Sequence, residues 1–154
     1  MKMISKRKKI LAISSGGGHW VELKRIIPSF EGHNVVFVTV NDFYRSEIIP
    51  NKFYKITDAT RWDKLKLMKA GIEVFNIMLK EKPDVVVSTG AAPGLWGIIF
   101  GSLFFAKTIW IDSIANIQKL SLSGKIAGKF ADLWITQWPN LAKKGGPSYK
   151  GKII

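Results

Sequence analysis

Apolar and polar positions alternate along the chain with two distinct periods. Short continuous apolar runs, rich in β-branched residues, occupy Lys9–Ile13, Asn34–Val40 ("NVVFVTV"), Phe53–Thr57, Asp84–Ser88, Thr108–Asp112 and Leu133–Gln137. Runs of this kind suit strands covered on both faces, as in a parallel sheet. Between them lie longer segments that read as helices: His19–Phe30, shortened by Pro28; Trp62–Lys82, ending before Pro83; Gly94–Ala106; and Leu120–Phe130. Strands alternating with helices predict βαβ units. The fold class is therefore α/β, a single doubly wound, Rossmann-like domain with a mainly parallel sheet across residues 1–154. Residues 1–8 form a basic N-terminal arm. The alternation ends near Asn140, and residues 140–154 read as a tail.

In such sheets ligands bind beyond the carboxyl ends of the strands. Three stretches fall on that edge: Ser15-Gly16-Gly17-Gly18-His19, Thr89-Gly90-Ala91-Ala92-Pro93-Gly94, and Asp112 with Ser113 and Asn116. The glycine stretch is not a phosphate-binding P-loop, because no Gly-Lys-Ser/Thr follows. It is a poor dinucleotide fingerprint, because Val21 stands where the third glycine belongs. What remains is a glycine turn feeding a helix N-terminus, which favours an anion; the alternative is a tight connection with no ligand. His19, at the start of that helix, could take a proton or hydrogen-bond a phosphate or hydroxyl, or it could merely cap or pack. His33 sits in a turn and reads as structural. The Thr89–Gly94 stretch suits an anion- or sugar-binding loop, or else close helix–sheet packing. Asp112 could hydrogen-bond a ligand hydroxyl or cap the segment that follows it.

Charge narrows the partners. Twenty-four basic against 11 acidic residues give a formal net charge of +13, which favours anionic partners. The absence of cysteine excludes disulfides and thiolate metal sites, and neither a metal nor a cofactor is expected. The basic N-terminus is followed only by Ile10–Ile13 before the glycine turn, so no secretory signal is expected. The uncharged stretch Val85–Ala106 is interrupted by Ser88–Gly94 and reads as strand, loop and buried helix rather than a membrane span. Its Gly97-x-x-x-Gly101 could serve close packing. Lys64, Lys66 and Lys69, beside apolar residues of the Trp62–Lys82 helix, would suit an anionic membrane surface. Nucleic acid is the weaker reading: few of the basic residues are arginine, and the tryptophans fall in apolar runs.

The stretches "ISSGGGHWVELKRI", "EGHNVVFVT", "DVVVSTGAAPG" and "IWIDSIANIQKLSLSGKIAGKFADLWITQWP" resemble the acceptor-side subunit of two-component GT-B glycosyltransferases. That group includes the membrane-anchoring subunit of the dolichol-linked N-acetylglucosaminyltransferase. It also includes bacterial glucuronosyl- and galactosyltransferase enhancer subunits of capsule and exopolysaccharide synthesis. More distantly, the chain resembles the N-terminal half of the single-chain enzyme that makes the peptidoglycan lipid precursor.

The resemblance implies half an enzyme, with a polyprenyl-pyrophosphate-linked sugar as acceptor. A separate donor-binding subunit would complete it, and the chain would be inactive alone. His19 would be the catalytic candidate. Ser15, Gly16, Gly17, Gly18, Thr89, Gly90, Ala91, Ala92, Pro93, Gly94, Asp112, Ser113 and Asn116 would line the acceptor side. Asp112 departs from the family, which commonly has Glu there. The eukaryotic members' hydrophobic N-terminal span is replaced by "KRKK", so attachment to the cytoplasmic face of the plasma membrane is expected to be peripheral. Trp138, Pro139, Tyr149, Ile153 and Ile154 are the expected partner interface; the alternative is that the terminal isoleucines fold back onto their own domain. A self-sufficient nucleotide-binding α/β enzyme is the other reading.

Overall fold

The computed structural model describes residues 6–153; the start of the basic arm and Ile154 lie outside the described residues. Seven parallel strands form one sheet: β1 (Lys9–Ser14), β2 (Asn34–Thr39), β3 (Lys52–Lys55), β4 (Val85–Gly90), β5 (Lys107–Ile111), β6 (Leu133–Thr136) and β7 (Ser148–Tyr149). Their order is β3-β2-β1-β4-β5-β6-β7. The chain thus winds outward from β1 in one direction and from β4 in the other. The switch point lies between these two central strands, where ligands of open α/β sheets bind.

Four helices cover the sheet: α1 (Gly18–Arg25), α2 (Lys64–Glu81), α3 (Ala91–Leu103) and α4 (Leu122–Ala127). On one face α2, α3 and α4 bury Val74, Ile77, Met78, Ile98 and Ala127 against Leu11, Ile13, Val36, Val38, Val86 and Trp110. On the other, α1 and two 3-10 turns (Ile27–Phe30 and Asp42–Ile48) bury Trp20, Leu23, Phe30 and Ile48 against Ile10, Ala12, Phe37, Phe53, Val87 and Ile111. Apolar residues of β1 therefore reach both cores, which is why its sequence is continuous rather than alternating.

Local chemistry sets the boundaries. Asp63 caps α2 by accepting from Lys66 N–H at 3.0 Å, and Lys82 ends it in a left-handed conformation before Pro83. Pro28 confines α1 to eight residues and opens a 3-10 turn, as its sequence implied. Gly97 and Gly101 let α3 lie directly on the sheet: a Cβ on Gly97 would fall 2.7 Å from Ile13 Cγ2, and one on Gly101 2.8 Å from Thr108 Cγ2. Their small size serves helix–sheet contact, not pairing with another helix.

Three expectations are corrected. The Thr89–Gly94 stretch is not a loop: β4 runs through Gly90, and α3 begins at Ala91 rather than Gly94. Proline is tolerated in a first helical turn, whose N–H groups lack intrahelical partners anyway. The helix expected over Leu120–Phe130 spans only Leu122–Ala127, capped by the Ser121 hydroxyl. The segment after Asn140 is not a free tail, since it returns to the sheet as β7 and carries Ile153 onto the α1-side core.

Candidate functional site

At the carboxyl end of the switch point, the β1–β4 ladder slips. Ile13 pairs with Ser88 but Ser14 pairs with Gly90, leaving Thr89 as the extra residue. Such a bulge re-aims the groups that flank it. The Thr89 carbonyl lies 2.9 Å from His19 Nδ1, and the Thr89 hydroxyl donates to the His19 carbonyl at 2.6 Å. This reciprocal pair fastens the start of α1 to the end of β4. Gly90 fits beneath the imidazole, where a Cβ would fall 2.5 Å from Nδ1, and its φ of 137° suits glycine alone. Ala91, at φ 64°, carries the strain of an immediate strand-to-helix turn.

The glycine turn is held from the side. Tyr44 stacks on Trp20, with ring centroids 4.8 Å apart, and its hydroxyl accepts from Gly17 N–H at 3.1 Å. Glu47, on the same 3-10 turn as Tyr44, accepts from Trp20 Nε1 at 3.3 Å and from Lys24, which holds the Glu47 carboxyl below its ordinary range. Gly17 and Gly18 face open space, with no atom within 4 Å of where a Cβ would stand. The first turn of α1 contains no acid. A small anion can therefore approach this backbone closely. Ser15 is half-buried, and its hydroxyl is 3.5 Å from the Gly16 carbonyl.

The third stretch proves to be an internally bonded loop. Asp112 is buried, and its carboxylate accepts from Trp110 Nε1 (3.1 Å), Asn116 Nδ2 (3.0 Å), Ser121 N–H (3.1 Å) and the Ser121 hydroxyl (2.6 Å). A carboxylate with four donors has little left for a ligand. Of the two expected roles, these bonds are those of capping: Asp112 organises the loop that follows it. Asn116 is committed to Asp112, and the Ser113 hydroxyl accepts from Ala115 N–H at 3.3 Å. Residues Ala115–Lys119 line an open cavity of about 340 Å³ on this loop. Pro93 and Gly94 lie in the first turn of α3. Both are buried, and a Cβ on Gly94 would fall 1.9 Å from Ser88 Oγ, so Gly94 serves packing. Ala91 and Ala92 remain half-exposed at the α3 N-terminus.

Two residues absent from the sequence reading prove central. Tyr44 is one. The other is Glu22, buried on α1, whose Oε1 accepts from Ile114 N–H and Gln137 Nε2, both at 2.8 Å. The only signal for Glu22 was its place as a lone acid three residues after His19. Of the residues expected at a partner interface, Trp138, Pro139 and Ile153 also make contacts within their own domain. Trp138 Nε1 donates to the Ile114 carbonyl at 2.7 Å, Pro139 opens a 3-10 turn, and Ile153 N–H donates to Gln137 Oε1 at 2.7 Å. Tyr149 lies on the edge strand and remains exposed.

A second region stands apart from the cleft. Leu65, Met68, Ile72, Phe75 and Leu79 are exposed along α2 at three- and four-residue spacing. At its ends Trp62 is 80% exposed, and Phe105, beyond α3, is 96% exposed. Met68, Gly71, Ile72, Phe75, Trp96 and Phe100 line an apolar groove of about 210 Å³ between α2 and α3. Exposed Lys64, Lys66 and Lys69 flank it. Most of the expected Gly94–Ala106 helix is packed inward, and only the Leu103–Phe105 end is exposed. Among the described residues no helix is long and apolar enough to cross a membrane.

Comparison with known proteins bears on the fold and the family. The fold matches the crystal structure of MurG from Acinetobacter baumannii with a TM-score of 0.75 and 14% identity, covering 93% of this chain and 45% of that one. It also matches a UDP-GlcNAc 2-epimerase from Methanocaldococcus jannaschii with a TM-score of 0.63 and 21% identity, covering 83% and 39%. In sequence, the mouse UDP-N-acetylglucosamine transferase subunit ALG14 is 37% identical over 89 residues, 52% of this chain and 40% of that protein. The Yarrowia lipolytica subunit is 25% identical over 152 residues, covering 94% and 66%. The human subunit is 27% identical over 183 aligned residues, covering 94% and 82%. This chain thus spans about two fifths to two thirds of the length of the mouse and yeast relatives. Residues 55–153, from the end of β3 through Ile153, match the family described as "Oligosaccharide biosynthesis protein Alg14 like", and the chain belongs to that family.

Proposed function

We propose that this chain is the acceptor-side subunit of a heteromeric glycosyltransferase, lying peripherally on an anionic membrane and working with a separate donor-binding subunit. It serves glycan-lipid or polysaccharide synthesis, capsule and exopolysaccharide included, at the cytoplasmic face of the plasma membrane. The matched relatives are named as UDP-N-acetylglucosamine transferase subunits, so UDP-N-acetylglucosamine is the donor to test first.

The observation that carries the reading is the way α2 joins the two regions. On one side Lys69 and Glu73 line a cavity with Val40 and Lys55–Asp58, at the carboxyl ends of β2 and β3. On the other, Met68 and Ile72 line the apolar groove. A polyprenyl-pyrophosphate-linked sugar has the matching chemistry: an apolar chain, an anionic diphosphate and a reacting hydroxyl. In this reading the Gly16–Gly18 turn receives the diphosphate, with Ser15, Thr89, Gly90, Ala91 and Ala92 shaping the wall. Asp112, Ser113 and Asn116 support that wall from behind.

His19 then acts as the base. Its Nε2 takes the proton of the acceptor hydroxyl while the hydroxyl oxygen bonds the anomeric carbon. The bond from that carbon to the nucleotide diphosphate breaks, and UDP leaves with the electron pair.

Reconstitution tests the reading. The chain and its co-purifying donor-binding subunit are assayed, separately and together, with UDP-N-acetylglucosamine and a polyprenyl-diphosphate sugar. Transfer by the pair and not by either chain alone is expected. Robust transfer by this chain alone, or none by the pair with any nucleotide sugar, would overturn it.

A further inference from the structure

We propose that Glu22 is a positioning residue, holding His19 in the tautomer protonated at Nδ1 and tying that ring to the C-terminal segment at Ile153 through Gln137. The proposal rests on the reading of His19 given above.

Glu22 is 4% exposed, and burying a carboxylate is costly unless it is compensated. In a chain with 24 basic residues, no lysine or arginine pairs with it among the described residues. Its one charged-group neighbour there is His19, with Nδ1 3.9 Å from Oε2. The two carboxylate oxygens are unequal. Oε1 holds two donors, Ile114 N–H and Gln137 Nε2. Oε2 is buried and has no hydrogen-bond partner. An acid retained only to brace the loop would be served by Oε1 alone.

The proton position on His19 follows from its neighbour. The Thr89 carbonyl at 2.9 Å can only accept, so Nδ1 carries a hydrogen, and in the neutral ring Nε2 then keeps its lone pair. A carboxylate beside Nδ1–H favours that tautomer. It also stabilises the imidazolium formed when Nε2 takes a proton.

Gln137 extends the link. It is buried; its Nε2 donates to Glu22 Oε1 at 2.8 Å and to the Asp112 carbonyl at 3.1 Å, while its Oε1 accepts from Ile153 N–H at 2.7 Å. Those three contacts fix the amide orientation. Seating of Ile153, four residues beyond β7, is thereby coupled to the carboxylate beside the cleft histidine.

Nitrogen NMR of the full chain labelled at histidine tests this. Only two histidines are present, and His33→Gln assigns them. At alkaline pH, wild-type His19 should show protonated Nδ1 and unprotonated Nε2. Glu22→Gln should move the mixture towards the Nε2–H tautomer, and Gln137→Leu should do so less. In the reconstituted pair Glu22→Gln should lower kcat about tenfold or more, with KM for the nucleotide sugar within about twofold. Glu22→Asp should recover part of the loss. A predominantly Nε2–H wild-type ring overturns the proposal even if no variant folds, as does an unchanged His19 spectrum in Glu22→Gln. If His19→Gln keeps the full transfer rate while the wild-type ring shows Nδ1–H, the hold by Glu22 stands and the base role of His19 falls.

Discussion

On one face of the sheet, α1 presses Trp20 and Leu23 inward and shows solvent Arg25 and a single exposed apolar side chain, Val21. On the other, α2 buries Val74, Ile77 and Met78, yet turns Leu65, Met68, Ile72, Phe75 and Leu79 outward as well. A helix needs one apolar stripe to join a core. The α1 face has that stripe and little more, closed over by Ile153. The α2 face has two, and the second contributes little to folding the domain. A contiguous exposed apolar surface of this kind marks an interaction site. Polar contacts therefore gather around the cleft histidine, while exposed apolar area gathers one face away, beside lysines.

The largest expected effect breaks the cleft side. Gly90→Ala would drive a Cβ into the His19 ring and strain a backbone at φ 137°. Together with His19→Gln, it should lower transfer by the reconstituted pair about a hundredfold or more, while liposome binding stays unchanged. Rates within about threefold of wild type for both variants would reduce the turn to a connection.

Removal of Tyr149–Ile154 comes next and acts on the same face. A flexible handle could be deleted without harm to the domain, but Ile153 packs on the core and holds Gln137. Ile153 is only partly buried, so losing that contact costs at most about 1.5–3 kcal/mol, and the hydrogen bond about 1 kcal/mol. The melting temperature should fall by roughly 5–15 °C. A fall of less than about 2 °C would show that the strand is dispensable and free to serve a partner.

The third prediction isolates the other face. Leu65→Ser with Ile72→Ser removes exposed side chains, so stability should change by only about 0.5 kcal/mol per site. Binding to anionic vesicles should weaken about tenfold or more, since each apolar side chain buried in lipid contributes about 1.5–3 kcal/mol. Replacing Lys64, Lys66 and Lys69 by Gln should cost up to about 1 kcal/mol each, and only at low salt. Unchanged vesicle binding in both variants would assign this face to a protein partner instead.

These contrasts explain what the sequence could and could not reveal. The central strands β1, β2, β4 and β5 were legible as apolar runs because both their faces are largely covered, whereas β3 and β6 are only partly covered. The switch-point edge followed from their alternation with helices. The start of α3 was hidden because Gly90, Pro93 and Gly94 read as breakers; in space Gly90 makes room for His19 and Gly94 for Ser88. β7 escaped because it is two residues long and follows Gly145-Gly146-Pro147. Asp112 was ambiguous in principle: a strand-terminal carboxylate either meets a ligand or caps its own loop, and only its four donors decide. Glu22 and Tyr44 were missed because their roles are set by residues 27 to 115 positions away in sequence, Gly17 for Tyr44 and Gln137 for Glu22.

The smallest expected effect lies at the amino edge of the sheet, far from both surfaces. Glu81 is buried, which pushes its carboxyl up, but Lys52, the Tyr54 hydroxyl and Lys9 outweigh burial and hold it below the ordinary range. A depressed carboxylate adds stability that is fully present above its unfolded value, near 4.5, and is lost as pH falls through the folded value. Lys52 mirrors this: its hydrogen bond to Glu81 raises it above 10.5, so its share is present below that pH and lost as pH rises through the folded value. Because the lysine partners are half-exposed to exposed, solvent screens much of the pairing and the net contribution should be small. Other carboxylates also titrate in acid, so the informative quantity is a difference. Wild type should exceed Glu81→Gln in chemical-denaturation stability by a constant amount between about pH 5 and 9, and the gap should close below pH 4. A gap independent of pH down to 3 would mean that packing around residue 81, not its charge, holds this edge together.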